Sequence, residues 1–428
     1  MTAAGPAPFP LQFPAMNHPR PARPRPCFRR WLLPFLLLTG IRLAAQPIVV
    51  ELTATAGEPT ALRFEGTDIS DVVDSIIARQ DELETFAGRP FSAALTYLGY
   101  PLAMNLQVAE DGNSATLDIP SIGFSRTFVA ASSNELQEQI ETFIETEGSS
   151  EIAELREVVN RSSAAAITDG NPYATTALFA DRLLHAYDLA TAGPGAVPVS
   201  NRAWTAGLQV HRSTWRAEGL SGEQWRAELR FDRQFGAQDR VTLIVPGNFT
   251  DTAGAHTIGG GTALGWSHDW TEPRPDRQLA IRSAGYLGAT FRGSENLAAG
   301  GGVWAYGVST GLAHQVTNRV EWGGVAQLNG FSGIQMNYNG FELDTTTNQQ
   351  LLKLALPLTV QFTPTLTGTV HWTHSRFLQN AAVDTFQTTG VQLRWQVDER
   401  VRLSADAELT EGDRFRAQGG AAQIGCIF

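Results

Sequence analysis

His211 and Ser213 stand two residues apart, and His374 and Ser375 are adjacent. A histidine that takes the proton of a nearby serine hydroxyl activates it as a nucleophile, and on a strand near a bilayer edge such a pair would suit lipid hydrolysis. Strand alternation, however, points His211 and Ser213 away from the apolar face on which a lipid would lie. We expect no catalytic residue, and a lipid-modifying hydrolase acting through Ser213 is the weakest alternative. Asp68, Asp71 and Asp74 are spaced by three, along one flank of a helix, whereas a calcium loop alternates its ligands and includes glycine. Gly259-Gly260-Gly261 and Gly300-Gly301-Gly302 lack the following Lys-Ser/Thr of a phosphate loop and read as bends or close packing. Cys426 has no intrachain partner once Cys27 is removed with the leader, and it reads as a small apolar residue. Neither a metal nor a cofactor is expected.

More informative is a set of charges that recurs on one face of alternating segments. Arg226, Arg230, Arg282, Arg292, Lys353, Arg394 and Arg402 share that face with Glu228, Glu321, Asp406 and Glu408. The cations outnumber the acids, so a channel lined by them would be mildly positive and would favour anions. The alternative is a set of paired charges that fill and stiffen a narrow barrel.

The segments that carry these charges begin after Gly193-Pro194-Gly195-Ala196-Val197-Pro198, which reads as a linker over 193–200. Beyond it, apolar and polar residues alternate with period two from Trp204 to Phe428. The runs are 204–213, 225–231, 241–245, 258–266, 279–291, 304–312, 320–328, 352–362, 366–372, 391–397, 401–409 and 422–428. Leu352, Leu354, Leu356, Leu358, Val360 and Phe362 make the most apolar face, opposite Lys353, Thr359 and Gln361. A soluble sandwich also alternates, but it gives no reason for tryptophan near the ends of so many strands. We expect an all-β transmembrane antiparallel barrel of about twelve strands over 201–428. Trp204, Trp225, Trp304, Trp322, Trp372 and Trp395 are expected to face outward near the two membrane interfaces, where indole prefers to sit.

The chain before the linker has a different character. Residues 1–45 combine arginines, the apolar run Trp31 to Ile41 and the small residues Ala44 and Ala45, the pattern of an export signal. From 46 to 192 the text reads as an acidic α+β domain, expected in the periplasm. Strands are predicted at 48–52, 61–64, 106–109, 115–119 and 125–129. Helices are predicted from Asp68 to Leu83, from the capping box Ser132-x-x-Glu135, from Ser150, and from Asn171-Pro172 to Leu189. Residues 47–198 hold 23 acids against seven arginines, an imbalance that excludes nucleic-acid binding. The last helix has two expected placements, in the barrel mouth as a plug or on the helices at 133–160.

An export signal, alternating amphipathic strands to the end of the chain and a terminal Phe428 together resemble Gram-negative outer-membrane barrels. The resemblance implies that Phe428 closes the barrel at the periplasmic rim and is the signal read by the barrel assembly machinery. Outer-membrane lipid is then the other expected partner, with a periplasmic protein partner left open. Gly170-Asn171-Pro172-Tyr173 before a helix, followed by about twelve strands, is similar to the autotransporter-type barrel that lacks a large passenger. That likeness covers roughly 165–428 and implies a translocator-like architecture with no catalytic residues to carry over. Neither histidine–serine pair matches the extended His-Ser-Asn signature of barrel phospholipases. A pore or channel for small solutes with a periplasmic domain is the expected function, and an autotransporter-like translocator or anchoring module is the alternative.

Overall fold

The computed structural model describes residues 46–428, apart from 58–59, 87–88, 144–146, 166–170, 183–203, 237, 272–277, 295–298, 339–340, 345–347 and 380. The expected leader and the 193–200 linker lie outside these residues.

The first part of the chain is a six-stranded antiparallel sheet in the order β2-β1-β3-β4-β5-β6. Its strands are β1 (Ile48–Ala54), β2 (Ala61–Gly66), β3 (Phe91–Tyr97), β4 (Tyr100–Val108), β5 (Ser114–Ile119) and β6 (Phe124–Val129). The central hairpin β3–β4 turns on Leu98 and Gly99, both at positive φ, which suits a two-residue turn that follows the twist of the strands. β3 was not among the expected strands, because Ala93 and Ala94 dilute the bulky alternation that marks one. Asp68 caps α1 (Ile69–Ala78) by accepting from the Asp71 N–H at 2.8 Å. The helix breaks at Arg79, so α2 (Gln80–Leu83) is a separate turn and not the end of one long helix. Ser132 caps α3 (Ser133–Thr142), and the Glu135 carboxylate reaches back to the N–H of Ala131 at 2.9 Å. α4 (Ser149–Ser162) follows. Phe64, Val72 and Phe86 fill one core under α1, while Leu117, Phe128, Leu136 and Phe143 fill another under α3.

The expected helix from Pro172 starts three residues later. Asn171 accepts from the N–H of Tyr173 at 2.8 Å and so closes a turn before α5 (Thr175–Arg182), and residues 183–189 lie outside the described residues.

Twelve strands then close into an antiparallel ring. They are β7 (Trp204–Ala217), β8 (Leu220–Phe235), β9 (Asp239–Thr252), β10 (Ala255–Asp269), β11 (Leu279–Ser294), β12 (Ala299–Thr317) and β13 (Val320–Tyr338), then β15 (Asn348–Thr363), β16 (Leu366–Phe377), β17 (Thr385–Gln396), β18 (Val401–Gly412) and β19 (Phe415–Ile427). The short β14 (Phe341–Asp344) pairs with β13 alone and stays outside the ring. β19 pairs with β7 over thirteen residues, and the N–H of Phe428 meets the carbonyl of Trp204 at 2.8 Å, so the ring begins and ends at one rim.

The sheet domain is seated on the opposite rim. Ser163 donates to the carbonyl of Leu98, and the N–H of Ala164 donates to Oε2 of Glu218 in the β7–β8 turn at 3.0 Å. Ala255, at the β9–β10 turn, is buried with Leu98, Ala103, Ile119, Leu155 and Val159 of the domain. The expectation that the domain shares a side with Phe428 is therefore corrected. An even strand count does return β7 to the Phe428 rim, but the domain is bonded to the turns of the other rim.

Candidate functional site: an occupied barrel lumen

Along each barrel strand every second side chain points out, and across the middle of the wall these are apolar, as with Leu208, Val210, Leu229, Phe231, Leu243 and Val245 on β7 to β9, while charged residues such as Arg212 and Arg216 face out near the domain rim. Aromatic residues gather at the two ends of this surface. Trp204, Trp266, Trp322 and Trp395 lie toward the Phe428 rim, while Trp225, Trp304 and Trp372 lie toward the domain. Exposing so much apolar area to water is unfavourable, and a closed ring leaves no backbone edge unpaired in lipid. The chain is a transmembrane β-barrel.

Trp215 behaves differently from the other tryptophans. It lies in register with His211 and Ser213, is 5% exposed, and stacks on Phe415 with ring centres 6.2 Å apart. It belongs to an inward apolar collar near the domain rim, with Phe331, Leu351, Phe377, Phe386 and Phe415. Sequence reasoning that assigned polar residues to the inside missed this collar. The available signal was a bulky apolar residue in the register of polar ones, as at Trp215.

The collar grips the segment that follows α4. Tyr173 packs against Phe415 at 5.3 Å, and Leu178, Phe179 and Ala180 of α5 are buried within the ring. Nη1 of Arg292 donates to the carbonyl of Tyr173 at 2.8 Å, and Arg292 also donates to the Thr250 hydroxyl. Deeper in, the Gln327 amide donates to the carbonyl of Ala180 at 3.2 Å. Those carbonyls lie in a water-poor interior, where a backbone oxygen needs a partner. Of the two expected placements, α5 takes the lumen. The voids beside it, about 10 and 20 Å³, each have room for roughly one water molecule.

The expected lumenal charges all fall on the inner wall. Arg226 is buried, donates to Nδ1 of His211 at 2.7 Å, and lies 3.6 Å from Glu408, which in turn meets Nε2 of His211 at 2.9 Å. Arg282 forms a two-point pair with Asp269 at 2.5 and 2.9 Å. Arg230 donates to Asp232 at 3.0 Å, and the hydroxyl of Thr242 donates to the same carboxylate. Lys353 and Glu228 are buried, Asp406 accepts from the N–H of Ala421 at 3.0 Å, and Arg394 donates to Gln392 at 3.2 Å. Arg402 and Glu321 are half-buried. His211, which alternation already turned away from lipid, completes these pairs together with Asp232 and Asp269, which were not in the expected set.

Ser213 and His211 are both buried in the lumen, with His211 engaged by Arg226 and Glu408. Lipid on the outer face does not reach them.

No protein-family model matches the chain, and no curated protein matches it in sequence. Among solved structures, the translocator domain of the autotransporter NalP from Neisseria meningitidis is similar over 58% of this chain and 94% of its own, at 10% identity and a TM-score of 0.42. The COG4313 outer membrane channel from Pseudomonas putida F1 is similar over 54% and 97%, at 9% identity and a TM-score of 0.43. The transport unit of the autotransporter AIDA-I from Escherichia coli is similar over 54% and 91%, at 9% identity and 0.36.

Proposed function

We propose that the chain is an outer-membrane anchoring module of autotransporter type, whose barrel carries the sheet domain at its outer rim on a segment threaded into the lumen. The observation that carries this reading is the route of the chain. Ala164 is bonded to the rim turn at Glu218, Tyr173 and Ala180 are bonded inside the ring, and Trp204 opens β7 at the opposite rim beside Phe428. With Phe428 at the periplasmic rim, as the sequence resemblance implies, the domain is outside the cell. Burial of Ala255 in the domain's core favours fixed display over release, since lifting the domain would expose that core.

Labelling on intact cells tests the placement. Asp111 is exposed on the domain, so Asp111→Cys in a Cys426→Ser background should react with a membrane-impermeant maleimide without permeabilisation. Reaction only after the outer membrane is opened would overturn the reading.

A small-solute channel is the second reading, favoured by Arg230, Arg394 and Arg402, which stay partly accessible on the inner wall toward the Phe428 rim. It requires the intact chain to conduct with α5 in place.

A further inference from the structure

On the outer surface near the domain rim, Arg216 of β7 stands directly opposite Arg416 of β19. Directly opposed residues in an antiparallel pair hold their Cβ atoms about 5 Å apart, and like charges there repel. Both side chains are exposed. Glu223 pairs with Arg212 at 2.7 Å and Glu218 with Arg414 at 2.6 Å, while Arg416 itself is paired on its other side with Glu411 at 3.2 Å. Arg216 has no ion-pair partner among the described residues. Arg212, Arg216 and Arg416 thus share two carboxylates, Glu223 and Glu411, and the surplus positive charge at Arg216 can take up an anion.

The height of the pair says where that anion comes from. Arg212 lies across from Trp225, with its guanidinium 5.2 Å from the indole ring, in the aromatic belt that marks the bilayer boundary. Arg216 is four residues further along the strand, about 13 Å of extended chain, which strand tilt reduces to about 10 Å along the bilayer normal. Arginine side chains bend back toward the interface, so both heads reach the headgroup layer.

We propose that Arg216 and Arg416, with Arg212 below them, form a site for a phosphomonoester headgroup of a lipid in the surrounding leaflet. A phosphomonoester brings close to two negative charges and several acceptor oxygens, which match two guanidinium forks, whereas a phosphodiester brings one charge. On the sidedness reading above, this is the outer leaflet, and the site lies beside the Glu218–Arg414 clasp under the displayed domain. The binding test does not depend on that sidedness.

The full chain in detergent micelles is titrated with bisphosphorylated lipid A, and bound lipid is counted by native mass spectrometry. Arg216→Gln with Arg416→Gln should weaken binding by about tenfold or more, the scale of one lost charge-assisted hydrogen bond. Arg216→Lys with Arg416→Lys should retain part of it. Arg376→Gln serves as the control, because Arg376 is exposed near the same rim but faces Thr385 and Leu352 across its neighbours. Equal loss in the control, no loss in the double variant, or equal binding of phosphatidylglycerol overturns the proposal. Gel mobility before and after heating verifies that each barrel is folded.

Discussion

Arg292 of β11 holds the backbone carbonyl of Tyr173, 119 residues earlier in the chain, at 2.8 Å inside the ring. This bond joins a segment that belongs to the domain side of the sequence to the barrel wall. The charged donor is itself buried, at 4% exposure, and the Tyr173 carbonyl and the Thr250 hydroxyl both accept from it there.

Arg292→Ala removes the donor and leaves the Tyr173 carbonyl unpaired, a loss of about 1.5–3 kcal/mol for a hydrogen bond to a charged group. The expected outcome is a looser helix, seen as brief conducting events in planar bilayers that the unaltered chain does not show. Deleting 172–182 should produce sustained conductance. A folded deletion variant with unchanged conductance would show that α5 does not block the pore.

Glu218 is expected to govern the domain's seat. Its two oxygens serve the N–H of Ala164 at 3.0 Å and Nη1 of Arg414 at 2.6 Å, and Arg414 also donates to the carbonyl of Ala382. Glu218→Ala therefore releases two partners through one change, at a cost of about 1–3 kcal/mol. Limited proteolysis near Ser163 should speed up several-fold, while the barrel keeps its heat-modifiable gel mobility. Unchanged cleavage would mean that the apolar contacts around Ala255 hold the domain alone.

Much of this arrangement was legible before the structure. Period-two alternation marks all twelve barrel strands, because lipid outside and polar groups inside impose opposite demands on successive residues. The caps at Asp68 and Ser132 were equally plain, since their chemistry is local. The path of the chain was not. Leu178 and Phe179 would make the same helical stripe against a soluble core as against the lumen, and only the inward register of Trp215 and Phe415 distinguishes the two. Partner choice among the lumenal charges was hidden for a related reason. Alternation gives the side of the wall but not the register between strands that brings Arg282 to Asp269.

Acid should loosen the junction at Thr67. The Thr67 hydroxyl and N–H both donate to the Asp71 carboxylate, the latter at 3.1 Å, and Thr67 packs against the rim turn at Gly254. The hydroxyl bond, then the amide bond, hold the Asp71 carboxyl below its ordinary value of 3.8. A depressed carboxyl contributes stability in full above its unfolded value and loses it as pH falls through the folded one. Titrating the Thr67 amide chemical shift should give a midpoint below 3.8, absent in Asp71→Asn. A midpoint at or above that value would contradict the assignment.

The tryptophans separate the two faces of the wall in one measurement. Trp204, Trp225, Trp304, Trp322, Trp372 and Trp395 are each at least 36% exposed on the outer surface, whereas Trp215 is 5% exposed and stacks on Phe415, against which Tyr173 packs in turn. Indole quenching by bromine needs close approach, so reconstitution in brominated phospholipid should quench a variant that retains only Trp225. A variant that retains only Trp215 should keep nearly all its emission, because the ring backbone and the collar stand between it and lipid. Deleting 172–182 from the Trp215 variant removes Tyr173 and α5 from the shared cluster and admits water to the collar, which should shift its emission to the red without bromine quenching. Quenching of Trp215 in the intact barrel would instead place that side of β7 against lipid and reverse the inward assignment of His211, Ser213 and the collar together.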